Sequence, residues 1–229
     1  MRYLGLLGGM TYHSTVDYYM GINDAVAAAL GGHASAPLLL DSLNFQAVRE
    51  LQIADDYEAA GELLATHARR LEAAGAEGIV ICTNLMHKVA PAVEAAVGIP
   101  LLHIADAVAA EARERSLATL GLMGAGVTMQ QQFYADRLHD DGVEWVQASD
   151  DDIALTDRIV FDELTKGIIT DASRAELLGV VGRLAEAGAD GVVLGCTEIP
   201  LILSQKDSAV PLIDSAQAHI RACVEFVLG

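Results

Sequence analysis

The chain has 229 residues, of which 52% are hydrophobic and 5 are proline, and 32 acidic residues against 14 basic ones give it a net charge of −18. This composition excludes an intrinsically disordered chain. The basic residues are scattered, so the sequence excludes nucleic acid as a partner. No apolar run approaches the ~20 residues of a membrane span, and no signal-peptide pattern stands at the N-terminus. We therefore expect a soluble, cytoplasmic protein with no membrane partner.

Three cysteines and seven histidines limit the chemistry that the chain can support. A chain of this size buries ~70% of its unfolded surface, so it needs neither disulfides nor a structural metal to fold. The cysteines show no CxxC spacing, and the histidines show no spacing typical of metal ligands. We expect no metal site, and each thiol requires its own explanation.

Short apolar segments alternate with helical patterns such as residues 16–30 along the whole chain, which is typical of βαβ units. The predicted strands share an apolar character without strict alternation: 3–7, 38–40, 78–81, 101–103, 117–122, 191–194 and 210–213. Such segments indicate parallel strands covered by helices on both faces. Gly75 and Gly188 each follow a helical pattern and precede a strand, so they predict helix ends.

The two halves of the chain resemble each other. Matching segments follow in the same order at a separation near half the chain: 4–8 with 120–124, 74–80 with 187–193, and 100–102 with 211–213. This repetition predicts an α/β fold of two similar, pseudo-symmetric parallel-sheet domains with helices on both faces and an active site between them. We expect the first domain to comprise residues 1–100 and about 210–229, and the second 101–209.

Cys82 and Cys196 stand at equivalent strand ends of the two halves, and each is followed by threonine. In parallel sheets such strand ends line the ligand crevice. Two opposed thiols suit a reaction in which one thiolate removes an α-proton and the other thiol returns one, which is racemisation by general acid and base. Buried cysteine is also an ordinary small hydrophobe, and that interpretation fits Cys223, which lies within a helical pattern.

Three motifs resemble the aspartate/glutamate racemase superfamily, in its aspartate racemase and broad-specificity amino-acid racemase branch. They are Leu-Leu-Gly-Gly-Met at 6–10, Cys-Thr-Asn at 82–84 with His87, and Gly-Cys-Thr-Glu at 195–198. The resemblance covers essentially the whole chain and implies two α/β domains with the substrate between them, no cofactor and a homodimer. It further implies that Cys82 and Cys196 are the catalytic pair and that Cys196 faces the L isomer.

Short polar side chains near the two cysteines are candidates for holding the amino-acid backbone of a substrate. Hydrogen bonds to the α-carboxylate strengthen as charge develops on it, so donors are needed there. The candidate donors are Thr83, Asn84, Thr128 and Thr197. Thr128 is also a candidate helix N-cap. Glu198 is our candidate acceptor for the α-ammonium group, and a solvated carboxylate at a helix start is its alternative.

Gly8, Gly9 and Met10 form the glycine motif near the start of the chain. The spacing matches neither a dinucleotide fingerprint nor a phosphate loop. We therefore interpret the motif as a tight turn that brings backbone, and Met10, close to the substrate crevice.

An acidic substrate entering a protein of this charge needs local cations. Arg49, in the predicted loop region after residues 38–40, and Lys166, after the helical pattern 159–164, stand where aspartate racemases place cations against the distal carboxylate. Gln52 is a further candidate in that pocket. Each cation is otherwise an ordinary surface charge. For His87, beside Lys88, we expect an exposed helical face rather than contact with a thiol.

The sequence thus favours a cofactor-independent racemase acting on aspartate, or on glutamate, as its small-molecule substrate. The enzymatic alternatives on the same scaffold are a glutamate, nonpolar amino-acid, broad-specificity or hydantoin racemase, and an isomerase or decarboxylase that shares the fold. A non-catalytic regulator that binds a small ligand is the alternative from another class, and the two matched Cys-Thr pairs argue against it.

Overall fold

A computed structural model describes residues 1–130 and 132–229 of the chain. These residues form two compact units, Met1–Ile104 with His219–Gly229, and Ala105–Ala218. Each unit contains a four-stranded parallel sheet. Within the described ranges no helix has the length and apolar character needed to cross a membrane.

The first unit is built on strands in the spatial order β2-β1-β3-β4. Its strands are β1 Leu4–Gly8, β2 Leu38–Ser42, β3 Gly78–Ile81 and β4 Leu101–Leu102. Its helices are α1 Tyr12–Leu30, α2 Phe45–Ile53, α3 Tyr57–Ala73 and α4 Ala90–Ala96, and a 3-10 turn spans Leu85–Val89. All strand pairs are parallel, so the carboxyl ends of the strands lie at one edge of the sheet.

The second unit repeats this order as β6-β5-β7-β8. Its strands are β5 Thr119–Gly124, β6 Glu144–Val146, β7 Gly191–Gly195 and β8 Leu212–Asp214. The remaining helices are α5 Ile104–Glu114, α6 Gly126–Gln130, α7 Gln132–Asp140, α8 Asp150–Asp162, α9 Asp171–Glu186 and α10 Ser215–Leu228, with 3-10 turns at Leu164–Lys166, Ile199–Leu201 and Gln205–Asp207. The predicted α/β fold of two similar parallel sheets is confirmed.

Local sequence signals explain where several helices begin and end. Thr11, Ser149 and Thr170 cap α1, α8 and α9 by accepting a hydrogen bond from a backbone amide three residues on. The two glycines that were predicted to end helices follow α3 and α9. Gly75 has φ 100° and Gly188 has φ 108°. Glycine adopts these left-handed angles without strain, which lets the chain turn from α3 and α9 directly into a strand.

The central strands of each sheet are buried on both faces, as their uninterrupted apolar sequences predict. The residues of β1, β3 and β7 are all buried. At the end of the chain, β8 pairs with β7, whereas the part of α10 that begins at His219 belongs to the first unit. The chain therefore passes from the second unit back to the first within α10.

Candidate active site

Cys82 directly follows β3 and is completely buried. Its backbone amide donates to the carbonyl of Leu7, which continues the pairing of β3 with β1. Its own carbonyl accepts a hydrogen bond of 3.0 Å from the Ser14 hydroxyl, at the start of α1. Burial raises the pKa of the Cys82 thiol far above its ordinary value, so the thiol is protonated at neutral pH.

Thr83 and Asn84 continue from Cys82, the first half-buried and the second buried. We refer to residues 82–84 as the Cys82 loop. The amide of Thr83 donates to the carbonyl of Ile81 at 2.9 Å, so the chain turns sharply as it leaves the strand. The loop leads into the 3-10 turn Leu85–Val89.

The expectation that His87 lies on an exposed helical face is wrong. His87 is 1% exposed, and its Nδ1 atom lies 2.8 Å from the Thr83 carbonyl oxygen. The segment is a 3-10 turn rather than an α-helix, and its tighter winding of ~3.0 residues per turn points different side chains inward. His87 therefore belongs to the surroundings of the Cys82 loop.

Cys196 occupies the matching position after β7, but its surroundings are polar. The residue is half-buried, and its thiol donates to Glu198 Oε2 at 2.9 Å. The Thr197 hydroxyl donates to the same oxygen at 2.9 Å. The pKa of the Cys196 thiol is raised well above its ordinary value, first by burial and then by the negative charge of Glu198 and the hydrogen bond to it, with a smaller contribution from Asp157.

Glu198, expected to accept a substrate ammonium group, thus already accepts two hydrogen bonds from its neighbours, and both fall on one carboxylate oxygen. A carboxylate has about four lone-pair sites, so it keeps room for a further donor. Its contact with the Cys196 thiol could not be inferred from the spacing of the two residues alone.

Thr128 is buried inside α6, at its third residue. The alternative that Thr128 is a helix N-cap is therefore wrong, because the helix begins at Gly126. The amide of Gly126 is held by Asp157 Oδ1 at 2.6 Å. The side chain of Asp157 thus fixes the start of α6 and also lies close enough to raise the pKa of Cys196.

The glycine motif forms a tight turn after β1. Gly9 has φ 85°, and a Cβ atom there would lie 2.2 Å from the Leu43 carbonyl oxygen, so only glycine fits. The amide of Gly9 donates to the Thr15 hydroxyl at 2.8 Å, which ties the turn to α1. Met10 follows and is buried.

Arg49 lies on α2 rather than in a loop, which corrects the sequence-based placement. It is exposed, and its guanidinium donates to Gln52 Oε1 at 3.2 Å. The amide of Gln52 in turn lies 3.1 Å from the sulfur of the buried Met86, in the 3-10 turn that follows the Cys82 loop. The structure thus brings Arg49 and Gln52 together and links them to the segment that carries Cys82.

Lys166 ends the 3-10 turn Leu164–Lys166, and its side chain is 58% exposed. Its ammonium group lies 3.4 Å from Asp162, four residues earlier. Exposed pairs of this kind contribute only ~0–1 kcal/mol to stability, so the ammonium can leave Asp162 at little cost.

Three further residues act near the cysteines without having been predicted: Ser14, His87 as a buried contact, and Asp157. No sequence motif marks Ser14 or Asp157, because each acts through a tertiary contact, whereas His87 belongs to the first cysteine motif and its burial was the unexpected feature. Within the described residues no cluster of three or more His, Cys, Asp or Glu side chains is placed to hold a metal ion.

The comparisons of this chain with known proteins agree on one family. The family model for Asp/Glu/hydantoin racemases matches residues 7–223. A protein from Yersinia pestis named as a candidate Asp/Glu racemase has a crystal structure that is 43% identical in sequence and covers 100% of both chains, with a TM-score of 0.96. An aspartate racemase homologue from Pyrococcus horikoshii OT3 is 32% identical over 100% of both chains, with a TM-score of 0.87.

More distant relatives have lower sequence identity to this chain. The aspartate racemase of Picrophilus torridus is 20% identical, covers 99% of this chain and 94% of its own, and has a TM-score of 0.75, which shows a common fold. Among curated proteins, an uncharacterized protein in the pnlA 3′ region of Pectobacterium carotovorum subsp. carotovorum is 27% identical over 129 residues, which are 55% of this chain and 84% of that protein.

Proposed function

Because this chain belongs to the Asp/Glu/hydantoin racemase family and is therefore an isomerase of the racemase type, we propose that it racemises a free amino acid without a cofactor, by proton transfer between two cysteines. Aspartate is the proposed preferred substrate, and glutamate the second. The observation that carries the proposal is the placement of Cys82 and Cys196 directly after β3 and β7, which are equivalent strands of two similar sheets.

In the proposed reaction one cysteine thiolate removes the α-proton, and the thiol of the other cysteine donates a proton to the opposite face of the carbanion. The α-carbon is inverted, one proton is lost and one gained, and the two cysteines have exchanged protonation states. In the reverse direction the same groups exchange roles. The family resemblance assigns the L isomer to Cys196.

Both thiols have raised pKa values in the free protein, so the substrate has to favour the thiolate. We assign that effect to the α-ammonium group, with Glu198 as its acceptor. A cation beside Glu198 neutralises the charge that raises the pKa of the Cys196 thiol and adds an attraction for the thiolate. The cysteine base is then formed when the amino acid binds.

The α-carboxylate requires donors that strengthen their hydrogen bonds as the carbanion forms. We assign this role to Thr83 and Asn84 in the Cys82 loop, and to Thr128 and Thr197 in the second unit. Met10, after the tight turn at Gly9, lines the proposed pocket. These assignments follow from the residue types and from their positions at the carboxyl ends of β1, β3, β5 and β7.

For the distal carboxylate of aspartate we propose Arg49, positioned by its hydrogen bond to Gln52, together with Lys166. The guanidinium can bind a carboxylate through two parallel hydrogen bonds, and the exposed ammonium supplies a second charge. The exposure of Lys166 also favours the second candidate, a broad-specificity racemase in which this lysine remains paired with Asp162.

Solvent deuterium tests the proposal directly. The purified protein, free of pyridoxal phosphate, is incubated in deuterated buffer with each amino acid and with a substituted hydantoin. We expect inversion of aspartate with one solvent deuteron at the α-carbon of the product. Inversion of methionine or leucine at a similar kcat/KM would support the broad-specificity enzyme, and binding without any α-proton exchange would support a non-catalytic regulator.

The family resemblance also leads us to propose a homodimer, and the sequence patterns lead us to propose a cytoplasmic location. Helix α1 exposes several large apolar side chains that a partner subunit could cover: Tyr12, Val16, Tyr19 and Met20. Light scattering coupled to size-exclusion chromatography gives the mass, which is expected to be twice that of the 24.1 kDa chain.

A further inference from the structure

Two buried side chains hold consecutive carbonyl groups of the Cys82 loop. The hydroxyl of Ser14, which is 3% exposed, donates to the Cys82 carbonyl at 3.0 Å. The imidazole of His87, which is 1% exposed, lies with Nδ1 2.8 Å from the Thr83 carbonyl oxygen. The proposed reaction uses neither side chain, yet both contact the peptide units next to the proposed catalytic thiol.

The hydrogen bonds of His87 allow a single protonation state. The backbone amide of Ile104 points at Nε2 over 3.2 Å. An amide can only donate, so Nε2 carries no proton and accepts. The Thr83 carbonyl can only accept, so Nδ1 carries the proton and donates. A neutral imidazole with its proton on Nδ1 satisfies both neighbours.

The surroundings of His87 oppose a second proton on the ring. The titratable groups that face it are His103, with ring centres 4.5 Å apart, and His219, with ring centres 5.5 Å apart. Burial is the largest cause of the lowered pKa of His87, and these two histidines add to it. Protonation of Nε2 would also set two donors against each other at Ile104.

Ile104 is the first residue of α5, which follows β4. His87 therefore connects the Cys82 loop to the start of a helix that lies in a separate segment of the chain. We propose that neutral His87 is a positioning residue, which fixes the Cys82 loop by bridging the Thr83 carbonyl and the Ile104 amide. This inference rests on the proposed role of Cys82 in proton transfer. Ser14 supports the same loop from α1.

The reason for such support is the distance dependence of proton transfer. A displacement of ~1 Å from the reacting geometry can reduce a rate about 100-fold. The amide of Cys82 continues the sheet pairing, whereas the carbonyls of Cys82 and Thr83 take their hydrogen bonds from the side chains of Ser14 and His87. A hydrogen bond to each of two successive carbonyls restricts both peptide planes that follow the Cys82 α-carbon.

Two substitutions each remove one of the two hydrogen bonds of the His87 ring and keep the other. In His87→Asn the amide nitrogen stands near the position of Nδ1 and still donates to Thr83, whereas the acceptor for Ile104 is lost. In His87→Gln the longer amide places its oxygen near Nε2 and still accepts from Ile104, whereas the donor to Thr83 is lost. The comparison variant is His219→Gln, because His219 is equally buried and packs against His87, but its ring nitrogens bond to the Tyr18 hydroxyl and the Leu102 carbonyl rather than to the Cys82 loop.

We expect His87→Gln to lower kcat for racemisation about 100-fold with a KM change below about threefold. His87→Asn should lose less than about fivefold, and His219→Gln should keep kcat within about twofold even where its melting temperature falls. Equal losses in His87→Asn and His87→Gln, or a loss in His219→Gln as large as that in His87→Gln, would overturn the positioning role.

Two measurements need no substrate and therefore separate this inference from the proposed function. Nitrogen NMR of the histidine-labelled wild type should show His87 with its proton on Nδ1 and no titration between about pH 8 and pH 5.5. Amide hydrogen exchange at Thr83 should be about tenfold faster in His87→Gln than in His87→Asn or His219→Gln.

A proton on Nε2, titration of His87 near its ordinary pKa, or equal exchange in the three variants would overturn the positioning role whatever the activity. A wild type that exchanges no α-proton with any amino acid would overturn the proposed function instead. The two failures are therefore distinguishable.

Discussion

Cys82 and Cys196 follow equivalent strands of two similar sheets, yet their chemical surroundings differ. Cys82 is completely buried, and its pKa is raised by burial alone. Cys196 is half-buried, and its thiol donates to Glu198 with Asp157 nearby. The same strand end thus presents an apolar thiol in one unit and a carboxylate-bonded thiol in the other.

The two units share one strand order, but the side chains that contact the two cysteine loops differ. The loop after β3 is supported by Ser14 and His87, both through backbone carbonyls, and neither bonds to the sulfur. The loop after β7 instead places a charged side chain on the sulfur itself. For a racemase this difference predicts that the two thiolates form in different surroundings: Cys196 lies beside a carboxylate that the substrate ammonium group neutralises, and Cys82 lies in a buried position that by itself raises its pKa.

The largest expected effect comes from removing either thiol. Cys82→Ser and Cys196→Ser should each lower D/L interconversion about 10²- to 10⁴-fold, because inversion needs an acid and a base in every turnover. Each variant should still exchange the α-proton of one enantiomer, Cys82→Ser with the L isomer. Proton NMR in deuterated buffer measures both quantities.

The comparison variant is Cys223→Ser, since Cys223 is also completely buried and lies on α10, close enough to Cys82 for the two groups to interact electrostatically, but does not follow a strand end. We expect this variant to lose stability and to keep its kcat. Near-normal interconversion by either of the first two variants would refute the mechanism with two cysteines.

The second largest effect is expected on the recognition of the distal carboxylate of aspartate. Arg49→Ala and Lys166→Leu should each lower kcat/KM for aspartate relative to methionine by about 30-fold or more. In the proposed complex the bound substrate desolvates the pair between each cation and the distal carboxylate, and losing one partner of such a pair costs ~2 kcal/mol or more. Steady-state kinetics with aspartate and with methionine measure this ratio. The controls are Arg69→Ala and Lys206→Leu, which remove exposed cations elsewhere in the same two units. Unchanged ratios in Arg49→Ala and Lys166→Leu would favour the broad-specificity enzyme.

Much of the fold could be predicted from the sequence because its signals are local. Apolar runs and the glycines at 75 and 188 predict β1, β3 and β7 to within a residue or two. Strand β6 was not predicted, since Glu144–Val146 has only three residues, and the first of them is exposed. Arg49 was misplaced because α2 follows β2 after only two residues, within the expected loop.

For the candidate site, the repetition of Cys-Thr pointed to two equivalent strand ends, and the sheet order confirms that β3 and β7 are equivalent. The contacts around each thiol could not be predicted in the same way. The burial of His87 depends on a 3-10 turn and on the amide of Ile104, which is distant in sequence. The bond between Cys196 and Glu198 depends on side-chain rotamers that no periodicity encodes.

A smaller effect is expected when Glu198, which accepts a hydrogen bond from the Cys196 thiol, is replaced. In the free protein Glu198→Gln removes the negative charge that raises the pKa of the Cys196 thiol, so more thiolate forms at pH 8. A lower pKa also reduces the nucleophilicity of the thiolate, so we expect alkylation of Cys196 by iodoacetamide to speed up only about threefold to tenfold. Peptide mass spectrometry measures the rate at each cysteine.

Cys82 serves as the internal control in that experiment, because Glu198 is not among the causes of its raised pKa. Its alkylation rate should not change. Slower alkylation of Cys196 in Glu198→Gln would show that Glu198 accepts the thiol proton in the free protein rather than opposing its loss.

The smallest effect is on stability and concerns the first unit. The pKa of His87 is well below its ordinary value of 6.5 in the folded protein, first because of burial and then because of His103 and His219. The unfolded chain takes up a proton near pH 6.5 and the folded chain does not, so this contribution to stability is complete above that pH and is lost as the pH falls below it. The loss amounts to at most about 1.4 kcal/mol per pH unit for one histidine.

Urea unfolding followed by circular dichroism at pH 7.5, 6.5 and 5.5 measures this dependence of the free energy of unfolding. His87→Asn removes the titrating group, so its curve should be flatter over this range than that of the wild type, by about 1 kcal/mol between the two ends. His33→Asn is the matched control, because His33 is exposed in the turn after α1. Wild type and His87→Asn curves of equal slope would mean that His87 accepts its proton in the folded state, and that the bond between Ile104 and Nε2 does not hold the imidazole neutral.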